Sequence, residues 1–192
     1  MTVPSNTLEL DRSGWVRSAR HVRSPHCDAR PQDASIDLLV IHGISLPPGE
    51  FGGPWIEALF TGSVPSNAPA AVREVAHLRV SAHFLIRRDG ELVQFVACGE
   101  RAWHAGQSAW HGRTRCNDFS IGIELEGSDT IPYTARQYDV LIALVRCLCA
   151  HYPLRHAVGH DTIAPGRKTD PGAAFDWARL MLPFCGRLDP YR

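Results

Sequence analysis

Apolar residues fall in short runs separated by Gly- and Pro-rich breaks, and the runs carry two different periods. Ile36-Asp37-Leu38-Leu39-Val40-Ile41 is almost continuously apolar and rich in β-branched and Leu side chains, the pattern of a strand buried on both faces of a sheet. It ends in His42-Gly43, so His42 is expected where the chain leaves the sheet, the place where open α/β sheets hold their ligands. Residues 81–87 and 91–96 flank Arg88-Asp89-Gly90, and the Asp-Gly pair predicts a hairpin between two strands. Phe119 to Glu126 alternates, with Ile121, Ile123 and Leu125 on one face and Ser120, Gly122, Glu124 and Glu126 on the other. Two carboxylates on one face of an apolar strand need a reason, and only one of them need be chemical.

The other period is helical. Thr134-Ala135-Arg136-Gln137 has the form of a capping box. Behind it Tyr138, Leu141, Ile142, Val145, Leu148, Cys149 and Tyr152 share one helical face, until Pro153 stops the helix. Pro54 to Phe60 reads as a short helix with Pro in its first turn, and Asp176 to Leu182 as a last one capped by Asp176. Thr61 to Ala71 is expected to be loop, and residues 1–33 to hold at most a short strand around Trp15 to Val22. Strands interleaved with helices, one pair joined by a hairpin, predict an α/β fold: a mixed central β-sheet flanked by helices in a single domain.

Composition narrows the function classes. At 192 residues the chain is about one domain. Zero formal net charge gives no electrostatic reason to expect a nucleic-acid or membrane partner. The N-terminus lacks the basic start and apolar run of a secretory signal, so the expected compartment is the cytoplasm. The six cysteines include no C-x-x-C pair and are expected to be mostly buried thiols. Near-neutral charge and the lack of an exposed heptad make a monomer the expectation.

Ten histidines invite a search for a metal site. The segment Gly159 to Gly172 packs His160, Lys168 and Asp170 into one turn-rich stretch that Pro165, Gly166, Pro171 and Gly172 keep from being a continuous helix. Lys168 is the one lysine in a chain whose other basic residues are arginine, and a compact ammonium offers what a guanidinium does not. Catalytic zinc takes three protein ligands and keeps a fourth position open. His42, His160 and Asp170 can supply that set, although each histidine alone could be a strand cap or an ordinary loop residue. Glu124, on a strand with Gly122 beside it, is positioned as a general base, the competing reading being a solvated strand face. Lys168 can stabilise an oxyanion. Together they describe a metallohydrolase in which Glu124 takes a proton from the attacking water and returns it to the leaving amine. Among the other histidines, His104 and His111 suggest substrate contacts, His83 the sheet surface, and His21, His26, His151 and His156 exposed positions.

These residues also carry a resemblance. Val40-Ile41-His42, the stretch Ser45 to Trp55, Trp103-His104-Ala105-Gly106, the stretch Asn117 to Gly127 and the His160 to Gly172 loop resemble the zinc amidase family shared with peptidoglycan-recognition proteins. Within it they are similar to the cytosolic branch that acts on anhydromuropeptides. The similarity runs from about Trp15 to Leu182, which makes 1–192 one amidase domain with its core at about 15–182. It implies one zinc ion held by His42, His160 and Asp170, Glu124 as the catalytic glutamate, and Lys168 as the lysine that stabilises the transition state. It further implies Arg79, Trp103 and Arg115 as substrate contacts. The implied reaction cleaves the amide between the lactyl group of anhydro-N-acetylmuramic acid and the L-alanine of the stem peptide, in peptidoglycan recycling. Two departures stand out: Gly43 follows the first ligand where family members carry Asn, and Val64 to Arg73 lacks aromatics. The rival classes are a peptidoglycan-binding module, whose members lose a metal ligand, and an exported amidase acting on intact wall.

Overall fold

The computed structural model describes residues 7–190. In chain order the strands and helices are β1 (Arg20–His21), β2 (Cys27–Ala29), β3 (Leu38–Ile44), α1 (Trp55–Thr61), α2 (Ala70–Val75), β4 (Phe84–Ile86), β5 (Leu92–Gln94), β6 (Glu100–Ala102), β7 (Ala109–Trp110) and β8 (Arg113–Thr114). They continue with β9 (Ser120–Glu126), α3 (Ala135–His151), β10 (His156–Gly159), α4 (His160–Ile163), α5 (Trp177–Met181) and β11 (Asp189–Pro190). The central sheet has the order β1-β5-β4-β9-β3-β10-β11. It is mixed because β4 and β5 form the antiparallel Asp-Gly hairpin, whereas β9, β3 and β10 run parallel. Parallel strands need crossovers, and α3 makes the one from β9 to β10, which flank β3 on its two edges.

Strand alternation sorts the side chains into two layers. Leu39 and Ile41 of β3 with Ile121, Ile123 and Leu125 of β9 pack against Tyr138, Leu141, Val145 and Leu148 of α3 in one core. This is the predicted helical stripe docked on the predicted strand face. Thr134 accepts from the Gln137 amide and Gln137 reaches back to Thr134, so the capping box forms as read. The opposite face of β4 and β5 meets Ile56, Leu59 and Phe60 of α1 and Val72 of α2 in a second core. Each fully buried Leu or Ile of these cores contributes about 1.5–3 kcal/mol. The same parity leaves His42 and Glu124 on the face away from α3.

Several expectations are corrected. His42 lies inside β3, which continues to Ile44, because Gly43 and Ile44 keep pairing with Leu125 and Glu126 of β9. Part of the predicted 61–71 loop and the residues beyond it form α2, whose start at Pro69-Ala70 spends proline where an amide donor is dispensable. The short strand expected between Trp15 and Val22 is reduced to β1, paired with β5, and an isolated bridge between Leu10 and Val16. Among the described residues no helix is long and apolar enough to cross a membrane.

Candidate metal centre and active site

β3 and β9 run parallel with His42 opposite Glu124, so both side chains rise from the same face of the two central strands. β10 adds to the other edge of β3, with Gly159 opposite Ile41, and the next residue, His160, opens α4 beside His42. The chain then turns through 164–169 and returns, where the Asp161 amide donates to the Asp170 carbonyl at 2.9 Å. Within this turn-rich segment His160 is only 4% exposed, because the sheet and the 104–105 segment close over it.

Three ligand atoms converge. His42 Nδ1 lies 3.0 Å from His160 Nδ1 and 3.2 Å from Asp170 Oδ2, and His160 Nδ1 lies 3.1 Å from the same oxygen. His160 Nε2 faces the Ala105 carbonyl at 3.2 Å, which only accepts, so the ring proton sits on Nε2 and the Nδ1 lone pair points into the triangle. A proton on His42 Nδ1 would require either a different tautomer or an imidazolium, and burial pushes the His42 pKa down to about 4. Ligands bound at about 2.0–2.1 Å around a tetrahedral ion lie about 3.3 Å apart. Two imidazole nitrogens and a carboxylate oxygen with edges of 3.0–3.2 Å therefore fit a divalent cation, and among the described residues no other such cluster occurs.

The triangle opens into a cavity of about 240 Å³. Glu124, Lys168, Trp103 and His104 line its polar end, and Leu46, Leu59, Phe60, Val75, Leu78 and Val80 its apolar wall. Glu124 is buried, and among the described residues its Oε2 has no hydrogen-bond partner. Burial raises its pKa well above the ordinary carboxylate value, the Asp170 charge raises it further and Lys168 opposes the shift. A carboxyl with a free oxygen and a pKa raised by burial is equipped to exchange a proton.

A family profile described as N-acetylmuramoyl-L-alanine amidase matches residues 32–173. The chain belongs to the N-acetylmuramoyl-L-alanine amidase family. It is 62% identical over 175 residues to the 1,6-anhydro-N-acetylmuramyl-L-alanine amidase AmpD of Escherichia coli (strain K12), covering 90% of this chain and 96% of that protein. A crystal structure of a selenomethionine AmpD derivative superposes with a TM-score of 0.86 at 59% identity, covering 90% of this chain and 97% of that one. The N-acetylmuramyl-L-alanine amidase AmiD from E. coli, in complex with anhydro-N-acetylmuramic acid-L-Ala-D-gamma-Glu-L-Lys, does so with a TM-score of 0.57 at 29% identity, covering 90% of this chain and 64% of that one.

In this amidase the candidate residues from the sequence divide into two sets. His42, His160, Asp170, Glu124, Lys168 and Trp103 meet at one cavity. Arg79 is exposed, between the lining residues Leu78 and Val80, and is not itself in the lining. Arg115 is exposed as well and its Nε lies 3.2 Å from Asp118 Oδ2. Trp103 is half-buried, stacked on His26 and donating from Nε1 to Asp28 Oδ1 at 3.1 Å. The two strand carboxylates have separate duties: Glu126 accepts from the Gly52 amide at 2.6 Å and from Arg87, which fastens the 45–54 loop beside the cavity.

His104, expected as a substrate contact, lines the polar end of the cavity and is otherwise buried behind His42, because Gly122 leaves the space its ring occupies. Two other histidine expectations are corrected. His26 is buried under Trp103. His83 is fully buried and accepts from the Gly122 amide at 3.0 Å. Sequence reasoning also passed over Asn117, whose Oδ1 accepts from the amides of His104 and Ala105, and Tyr133, which donates to the Pro171 carbonyl next to Asp170. The one local signal was Gly122, a glycine inside an apolar strand, which marks a close approach.

Proposed function

We propose that this amidase is zinc-dependent and hydrolyses the amide between the lactyl group of anhydro-N-acetylmuramic acid and the L-alanine of the stem peptide. The observation that carries the reading is the triangle of His42, His160 and Asp170 lone pairs facing the same cavity as Glu124. Its support in kind is the 62% identity to E. coli AmpD, whose name specifies the anhydromuramyl amide.

One zinc ion held by the three ligands would supply Lewis acidity toward the substrate carbonyl and the attacking water. Glu124 holds the proton taken from that water and delivers it to the leaving amine, a role its free oxygen and raised pKa support. Lys168 brings a positive charge to the developing oxyanion. Its side chain is exposed and lines the cavity, within reach of a bound substrate. Trp103 offers a ring surface to the sugar, and Arg79 and Arg115 would meet carboxylates of the peptide.

With that substrate class we infer a role in peptidoglycan recycling in the cytoplasm, the chain acting as a monomer without nucleic-acid or membrane partners. Six free thiols suit a reducing compartment. The test is mass spectrometry of anhydromuramoyl-tripeptide incubated with the zinc-loaded enzyme, with and without a chelator. Release of the free tripeptide only without chelator is expected. Intact substrate with zinc present would rule out the proposed reaction.

A further inference from the structure

The mechanism above leaves a buried histidine unused. His104 is 8% exposed, and its Nδ1 lies 3.0 Å from His42 Nε2 on the side away from the ligand triangle. Its other nitrogen, Nε2, lies 3.2 Å from Ser120 Oγ. Ser120 has one proton to give, and it goes to the Cys116 carbonyl at 2.6 Å. The serine oxygen can therefore only accept from His104, which puts the ring proton on Nε2 and leaves Nδ1 as an acceptor. His42 must then donate from Nε2, and its Nδ1 is left as a lone pair aimed at His160 and Asp170.

The neighbouring residue does the same for the other ligand. The Ala105 carbonyl faces His160 Nε2 at 3.2 Å, so one dipeptide sets the tautomers of both imidazoles. That dipeptide is itself clamped: Asn117 Oδ1 accepts from the His104 amide at 3.1 Å and from the Ala105 amide at 2.8 Å. Room for the His104 ring comes from Gly122, where a Cβ would stand 2.4 Å from the ring Cγ.

We infer that His104 is a positioning residue which, through a one-way hydrogen-bond chain from His42 to His104 to Ser120 to the Cys116 carbonyl, holds His42 in the single tautomer that can bind a metal. The inference rests on the metal reading of the His42, His160 and Asp170 triangle. A histidine whose outer nitrogen is committed cannot rotate or shift its proton, so the lone pair is present before the ion arrives. Loss of such an outer partner weakens metal binding by about 10–100-fold.

The test uses full-length protein with Zn²⁺ as the probe. His104→Leu removes the acceptor, whereas His104→Asn keeps an acceptor oxygen near the position of Nδ1. Chelator competition is expected to show Zn²⁺ bound about 10–100-fold more weakly by His104→Leu, with most of the loss restored in His104→Asn. Two-bond ¹H–¹⁵N spectra of the metal-free parent are expected to show His42 protonated on Nε2, and a tautomer mixture in His104→Leu. Should His104→Leu not fold, Ser120→Ala and the parent spectrum decide instead, with the same direction expected. Parent-like Zn²⁺ affinity in folded His104→Leu, or a parent His42 carrying its proton on Nδ1, overturns the inference. A parent that shows the Nε2 proton yet holds no Zn²⁺ would sink the metal reading and leave the hydrogen-bond chain standing.

Discussion

His42 and Glu124 are direct partners in the parallel ladder between β3 and β9, so the proposed metal ligand and the proposed proton carrier rise side by side from two adjoining central strands. Their spacing is fixed by backbone hydrogen bonds rather than by loops, which suits a site that must hold its geometry to a fraction of an ångström.

Glu124→Gln should separate activity from stability. Removing the proton carrier should lower kcat by about 10²–10⁴ while zinc content, measured by atomic absorption, stays at one ion per chain. The sign for stability is opposite. Burial raises the folded-state pKa of Glu124, so between the ordinary carboxylate value and that raised value the folded state holds more protons than the unfolded, and stability falls as pH rises. Metal-free Glu124→Gln should therefore melt above the metal-free parent at pH 8, with the gain shrinking toward pH 4. Each kcal/mol is worth about 2–4 °C in a chain of this size. A lower Tm at pH 8 would refute the assignment of a destabilising buried carboxylate.

Lys168→Ala should reduce kcat by about 10²–10³, the effect of removing one stabiliser of a developing oxyanion. Its side chain is exposed and lies at the cavity mouth, so Tm and zinc affinity should match the parent. Unchanged turnover would remove Lys168 from the reaction.

Gly122→Ala tests the close packing behind the proposed metal centre. A Cβ there would stand 2.4–2.7 Å from ring atoms of His104, and the buried ring cannot retreat without moving His42. Overpacking of this kind costs about 1–3 kcal/mol. Thermal unfolding should show that loss, and calorimetric titration should show weaker zinc binding.

Arg30→Met probes how the N-terminal segment supports the site. The Arg30 guanidinium donates to the carbonyls of Asn117, Asp118, Cys98 and Ser120, so it pins both the turn that clamps His104 and the first residue of β9. Burial lowers its pKa to about 10, still charged at neutral pH. Leaving several buried carbonyls unpaired should cost about 3 kcal/mol or more. Urea denaturation should find a lower midpoint with an unchanged slope.

The elements with a clear period were readable in advance. The α3 stripe, its capping box, the Asp-Gly hairpin and the two central strands all fold as their patterns dictate, because alternation and 3.6-residue spacing encode which side of an element meets apolar neighbours. The same alternation put Glu124 and Glu126 on one face, but could not tell that one would enter the cavity and the other fasten the 45–54 loop. Short pieces such as α2 and the strand around Glu100 were not legible, since a few residues carry too little periodicity to outvote their tertiary contacts.

The chemical residue types were present in the sequence by itself: two histidines and an aspartate able to share an ion, a glutamate on a strand, and a lone lysine in a turn-rich segment. What tertiary structure alone decided was their meeting and their protonation. His42 and His160 are separated by 118 positions, and only the pairing of β10 with β3 brings their Nδ1 atoms to 3.0 Å. The ordering of protons through His104, Ser120 and the Ala105 carbonyl leaves no trace in residue spacing, because hydrogen-bond direction depends on which buried acceptor happens to face each ring.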